Sequence, residues 1–159
     1  MFSFFHEERE AHPYQELRVQ VRRIFDLIKA GEYEPFTSSL TINEIANEPN
    51  DEKKHKMAEL VSSYNVKLLD ITDETTELAA MYIQAGAVSA VYKTDAMHIA
   101  IAAVNGLDFI VSLNFTHIVR PWTIERVRRM NVRENYQGLG IYKPAEVLEI
   151  YEDGTELSK

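Results

Sequence analysis

The stretch TDAMHIAIAAVNG, residues 94–106, decides the fold of this 159-residue chain. Nearly all of its residues are apolar or small, but Asp95 stands near its start and His98 lies one turn later. A helix that is apolar around its whole circumference is typical of a domain interior, where an ionised carboxylate is costly unless something compensates its charge. A lone histidine on such a helix is more typical of a hydrogen-bonded core residue than of a ligand. What compensates the charge of Asp95 is therefore the question that this stretch raises.

On both sides of this helix the chain alternates between helical and strand patterns. Helices are predicted after Pro13 up to Gly31 and over residues 40–49, 51–64, 73–85 and 123–135, with Gly106 closing the central one. Short strands are predicted at residues 35–38, 66–72, 108–113 and 140–144. Strands separated by helices predict a single α/β domain over residues 1–159, with three layers and a mostly parallel central sheet of four to five strands flanked by helices.

Composition and charge narrow the class of protein. Apolar residues make up 45% and charged residues 26%, as in ordinary globular proteins, and no apolar run approaches the roughly 20 residues of a membrane span. The opening MFSFFHEERE lacks the pattern of a signal peptide, which predicts a cytoplasmic protein. The net charge of −8 argues against a role in coating DNA. One basic segment remains, between Arg120 and Arg133, and it is interpreted either as a solvated helix face or as a surface, including Arg126 and Arg129, that guides RNA.

Three polar residues are expected at one edge of the sheet. In parallel α/β folds ligands bind outside the carboxyl ends of the strands, where the crossover helices begin. Asp95 and Glu44 are each predicted in the first turn of a helix, and Asn114 comes after the strand that succeeds the Asp95 helix. Oxygen ligands of this kind suit Mg²⁺ or Mn²⁺, and a divalent cation would compensate the charge of Asp95.

Each of these residues also has a purely structural interpretation. Thr94 is a good N-cap, and an acid in the first turn is favoured by the helix dipole by about 0.3–1 kcal/mol. Thr41 and Glu44 match the capping-box pattern, and Asn114 after a strand is a common turn former. Their expected position at one edge favours the functional interpretation more than any one residue does.

The run YKTDAMHIAIAAVNGLDFIVSLNFTHI, residues 92–118, resembles the signature of PIN-domain proteins, small metal-dependent ribonucleases that include the VapC-like toxins of toxin–antitoxin pairs. The resemblance extends to LTINEIAN (40–47), AAMYIQAGAVSA (79–90) and YKPAEVLE (142–149). It implies a PIN-like fold in which Glu44, Asp95 and Asn114 form the catalytic metal site. It also implies hydrolysis of RNA phosphodiesters by metal-activated water, a homodimer, and a cognate antitoxin as partner.

The chain departs from the family pattern at its start. PIN proteins open with a short apolar strand that ends in an Asp, whereas no Asp precedes Asp26 here, and MFSFFHEERE resembles the segment immediately after that strand. The expectation is that this strand and its Asp are missing or truncated, which would weaken metal binding and catalysis. Three explanations stay open: a start internal to a longer gene product, a gap filled by Met1–Phe5 or by a partner chain, or a relative that has lost catalysis and only binds. The alternative function is accordingly a non-catalytic α/β binding or regulatory module of the same fold.

Overall fold

A computed structural model describes residues 12–113 and 118–157. These residues form seven α-helices and four short strands, in the following order: α1 (His12–Lys29), β1 (Phe36–Ser38), α2 (Ser39–Ala46), α3 (Asp51–Ser63), β2 (Lys67–Leu69), α4 (Asp73–Gln84), α5 (Lys93–Val104), β3 (Phe109–Val111), α6 (Pro121–Arg133), β4 (Gly140–Tyr142) and α7 (Pro144–Leu157). A 3₁₀ turn, Ala90–Tyr92, leads into α5. The alternation of helices and strands confirms the α/β class.

The strands pair in twos. β1 pairs with β2, and β3 pairs with β4 in parallel, with Ile110 opposite Ile141. Each strand has only three residues. A central sheet of four or five strands is not seen in the described parts of the chain.

The chain divides into two compact units. The first comprises the described residues of Met1–Thr37, Thr41–Leu68 and Pro144–Lys159, and the second comprises Ser38–Leu40 and Leu69–Lys143. In the first unit α1 packs against α7, and their contact includes an exposed hydrogen bond from Arg23 Nη2 to Glu152 Oε1 at 3.2 Å. Its buried apolar residues include Val21, Phe25 and Val147.

The second unit holds the largest cluster of buried apolar side chains. Helices α4 and α5 pack together, and Tyr82, Ile99 and Val127 are among the buried residues of this cluster. Many of the buried residues of α5 are alanines, which let neighbouring elements approach closely. Among the described residues no helix is both long and apolar enough to cross a membrane.

Candidate functional site

Asp95 lies in the first turn of α5, as predicted. The helix begins at Lys93 and its N-cap is Tyr92, whose side chain makes no capping hydrogen bond. The prediction that Thr94 caps the helix is therefore wrong, because Thr94 already lies inside the first turn. The Asp95 side chain is half-buried at the head of a helix with six buried residues: Ala96, Ile99, Ala100, Ile101, Ala102 and Ala103. The N-terminal end of a helix favours a negative charge at this position.

The turn after α5 sets the direction of β3. Gly106 has φ +66°, and the backbone N–H of Leu107 donates to the carbonyl of Ala102 at 3.0 Å, so the helix ends in a Schellman motif. The chain turns there, and β3 contacts α5. In a parallel α/β arrangement the N-terminal end of α5 and the carboxyl end of β3 are expected at the same edge. Asn114, the third residue after β3, lies outside the described residues.

His98, near the N-terminal end of α5, contacts the last residue of β1. Its Nδ1 lies 3.4 Å from the hydroxyl of Ser38, the last residue of β1, and Ser38 is buried. Both residues belong to the second unit. This contact confirms that His98 is hydrogen-bonded, and its side chain is half-buried. The sequence offered no signal for Ser38 as its partner, because the two residues are 60 positions apart.

Glu44 lies on α2 in the first unit, and its side chain is exposed. The helix begins at Ser39 and has no acidic residue in its first turn. The prediction that Thr41 and Glu44 form a capping box at the helix start is therefore wrong, because Glu44 lies beyond the first turn. The convergence of Glu44 with Asp95 and Asn114 stays a prediction.

The two candidate RNA-binding arginines lie on α6 in different surroundings. The guanidinium of Arg126 stacks over the ring of Trp122 at 3.4 Å and donates to the carbonyl of Ala85 at 3.0 Å. Arg129 donates through Nε to Glu125 at 3.0 Å, and its side chain is 74% exposed. Arg126 is thus held against the fold, whereas Arg129 reaches into solvent.

Side chains of α6 also bind the end of α4. Three successive backbone carbonyls after α4 accept hydrogen bonds from side chains of α6. Arg126 donates to the carbonyl of Ala85 at 3.0 Å, Trp122 to that of Gly86 at 3.0 Å, and Thr123 to that of Ala87 at 2.9 Å. Carbonyls at the end of a helix lack partners within the helix itself. The N-terminal half of α6 therefore completes the end of α4 and fixes the position of the arginine-bearing face.

Two arginines of α6 share one acid, Glu125. The guanidinium groups of Arg128 and Arg129 hold the pKa of Glu125 below its ordinary value, so that this carboxylate stays ionised. Arg133 also lines the arginine-bearing face, next to Arg129. Arg133 belongs to the basic segment that the sequence offers as an RNA surface, where Arg126 and Arg129 are the named candidates, and its spacing of four from Arg129 places both on one side of the helix.

The described residues contain no group of three or more His, Asp or Glu side chains arranged to hold a metal ion. The predicted set includes the amide of Asn114, which lies outside those residues. The carboxylates of Asp95 and Glu44 have the oxygen chemistry that Mg²⁺ and Mn²⁺ prefer. Comparisons of the chain with protein-family models, with curated proteins and with solved structures gave no match.

Proposed function

We propose that this protein is a metal-dependent endoribonuclease of the PIN type, with Asp95, Glu44 and Asn114 as its catalytic residues. The observation that supports the proposal most directly is the position of Asp95. It is a half-buried acid in the first turn of a largely buried helix, and this helix leads into a strand of a parallel pair. The family motif that residues 92–118 resemble requires an acid at this position.

In this proposal the acids hold a divalent ion, and the donor type selects which ion is held. Asp95 and Glu44 supply carboxylate oxygens, and Asn114 supplies an amide oxygen, a set that suits Mg²⁺ or Mn²⁺. When bound, such an ion acts as a Lewis acid toward a phosphodiester. The N-terminal end of α5 favours the charged form of Asp95, which would hold the ion.

The same proposal extends to the rest of the fold and to partners. It includes a three-layer PIN-like arrangement with a central sheet of four to five strands, a homodimer, and a cytoplasmic location. It also includes a cognate antitoxin as partner, so that the protein is the toxin of a toxin–antitoxin pair. These parts rest on the resemblance of residues 40–47, 79–90, 92–118 and 142–149 to the family.

Metal binding is the first property to measure. At a Mn²⁺ concentration about tenfold above the dissociation constant, binding to the folded state adds about 1.4 kcal/mol to the free energy of unfolding. For a chain of this length we expect the melting temperature to rise by about 3–6 °C relative to the protein in EDTA. The variant Asp95→Asn, which keeps the shape but removes the charge, should lose this rise. Cleavage of single-stranded RNA should require Mn²⁺ and should be lost in the same variant.

Asp108→Asn is the matched control. Asp108 is an exposed acid beyond the other end of α5, so its loss should leave the Mn²⁺ shift unchanged. Equal shifts in the wild type and in Asp95→Asn would refute the metal site. That result would favour the alternative, a non-catalytic binding module in which these acids serve only the structure.

A further inference from the structure

Helix α6 carries a shallow pocket of about 260 Å³ in the second unit. Its lining consists of Ala85, Arg126, Arg129, Met130 and Arg133. The three arginines are spaced three and four residues apart, so they share one face of the helix. The pocket is smaller than the roughly 300–1,000 Å³ of sites for drug-sized ligands. Its size and its guanidinium groups suit a small anionic group.

Arg126 is preorganised at the inner side of this pocket. Its stacking on Trp122 and its hydrogen bond to the Ala85 carbonyl hold the guanidinium in one orientation. The Trp122 ring is itself held by the hydrogen bond from its Nε1 to the carbonyl of Gly86. A guanidinium has five N–H donors, and one carbonyl uses only part of them. Arg126 can therefore bind an anion without losing the contacts that hold it.

Arg129 and Arg133 supply exposed charge at the outer side. Arg129 uses Nε for Glu125 at 3.0 Å, and Arg133 uses Nε for Glu134 at 3.8 Å. In the described part of the chain the terminal nitrogens of these two side chains have no hydrogen-bond partner. Their side chains are 74% and 76% exposed, and ion pairs this exposed contribute little. A more highly charged anion can therefore replace Glu125 and Glu134 as the partner of these arginines at a small cost in free energy.

We propose that this pocket binds a phosphate group of single-stranded RNA. The planar forks of arginines match pairs of phosphate oxygens, as those of no other side chain do. The chain as a whole carries a net charge of −8, whereas α6 has four arginines and one glutamate, so this helix presents a locally basic face that attracts a polyanion. The identity of the polymer rests on the proposed ribonuclease function. The pocket's affinity for phosphate comes from its own residues.

Trp122 reports on the pocket because it is the only tryptophan in the chain. Titration with inorganic phosphate should change its fluorescence in a saturable way, since Arg126 lies against its ring. Binding of a labelled single-stranded RNA of about ten nucleotides is then measured by fluorescence anisotropy in EDTA, where no cleavage occurs. The double variant Arg129→Ala/Arg133→Ala should bind this RNA about tenfold more weakly. In a plot of log affinity against log salt concentration, the slope should be shallower than that of the wild type by about 1.4, or about 0.7 for each lost phosphate contact.

Arg128→Ala is the control: it removes one positive charge from the same helix, against two in the double variant, and Arg128 does not line the pocket. We expect its affinity for RNA to stay within about twofold of the wild type. An equal loss in Arg128→Ala and in the double variant, or no loss in the double variant, would overturn the proposal. Binding of polyglutamate as tight as that of RNA would overturn it in favour of an acidic protein partner.

The two proposals can fail separately. The RNA measurement in EDTA needs neither metal nor cleavage, so loss of the Mn²⁺ effect at Asp95 leaves it unaffected. Conversely, Mn²⁺-dependent cleavage that is unchanged in the double variant would refute the phosphate pocket while the nuclease assignment stands. Arg129 and Arg133 are exposed, and a melting temperature close to that of the wild type should show that the double variant is folded.

Discussion

At the scale of single residues, two tyrosine hydroxyls of the second unit are bound by side chains that come from distant parts of the sequence. The hydroxyl of Tyr82 donates to Oδ1 of the buried Asn131, and burial raises the pKa of Tyr82. The hydroxyl of Tyr136 donates to Glu74 at 2.8 Å, and this hydrogen bond to a carboxylate raises the pKa of Tyr136 to about 12. Both hydroxyls are therefore held in their protonated form by the fold.

Tyr136 should make the stability of the protein sensitive to alkaline pH. Its pKa is about 12 in the folded state and about 10 in an unfolded chain. The contribution is fully present below about pH 10 and is lost as the pH rises through about 12, since only the unfolded state releases the proton between these values. Urea unfolding at several pH values should therefore show a shallower loss of stability over this range in Tyr136→Phe than in the wild type.

Glu74→Gln serves as the second variant in this series. It removes the carboxylate that raises the Tyr136 pKa, so its profile should approach that of Tyr136→Phe. Tyr82 contributes a loss in the same direction in every variant, so the comparison uses differences from the wild type. Parallel profiles for the wild type and both variants would show that the Tyr136–Glu74 hydrogen bond does not stabilise the fold.

At the scale of elements, the junction of α4 with α6 depends on one glycine. Gly86 comes directly after the C-cap of α4 with φ +75°, and a Cβ there would lie 2.8 Å from Nη1 of Arg126. Glycine is needed both for the left-handed conformation and for the close approach of the guanidinium. Gly86 therefore both ends α4 and leaves the space in which the Arg126 guanidinium lies.

Gly86→Ala should separate these two requirements when it is compared with Gly31→Ala. Gly31 ends α1 with φ +83°, but in the described residues no heavy atom lies within 4 Å of its would-be Cβ. Both variants should lose about 1–2 kcal/mol from the unfavourable backbone conformation. Only Gly86→Ala should also change the Trp122 fluorescence, because it displaces Arg126 from the ring. An unchanged Trp122 spectrum in Gly86→Ala would contradict the proposed close packing.

At the scale of the whole molecule, two compact units share one chain that the sequence predicts to be a single domain. Each unit has its own buried apolar residues, Phe25 in the first and Ile99 in the second. A single cooperative domain loses all its structure when either core is weakened, whereas independent domains melt separately. The sole tryptophan, Trp122, lies in the second unit and reports its melting.

Phe25→Ala and Ile99→Ala therefore test the prediction of one domain. Each should cost about 2–5 kcal/mol, and we expect both to lower the melting transition that Trp122 reports. Val19→Ala is the control for the first unit, because Val19 is 58% exposed on the same helix as Phe25 and should cost little. If Phe25→Ala left the Trp122 transition in place while a second transition appeared by circular dichroism, the chain would form two independent domains.

The sequence by itself determined the order and type of most elements. Apolar spacing and Gly106 are signals that act within a few residues, and the observed α5 and α6 begin and end within about two residues of their predicted bounds. The position of Asp95 in the first turn of α5 was predictable for the same reason. The start of α2 was predicted too late, because the pattern of Thr41 and Glu44 resembles a helix start that the chain does not use.

Only the tertiary structure decided which distant residues meet. Helix α7, the pairing of β3 with β4, the contact of Ser38 with His98 and the hydrogen bonds of Trp122 and Arg126 to the end of α4 were not predicted from the sequence. Short strands carry little local signal, and side-chain contacts across 36 to 60 positions depend on how the helices pack. The physical reason is that helix capping and apolar periodicity depend on interactions between residues close in sequence. A binding site consists of groups that only the folded core brings together.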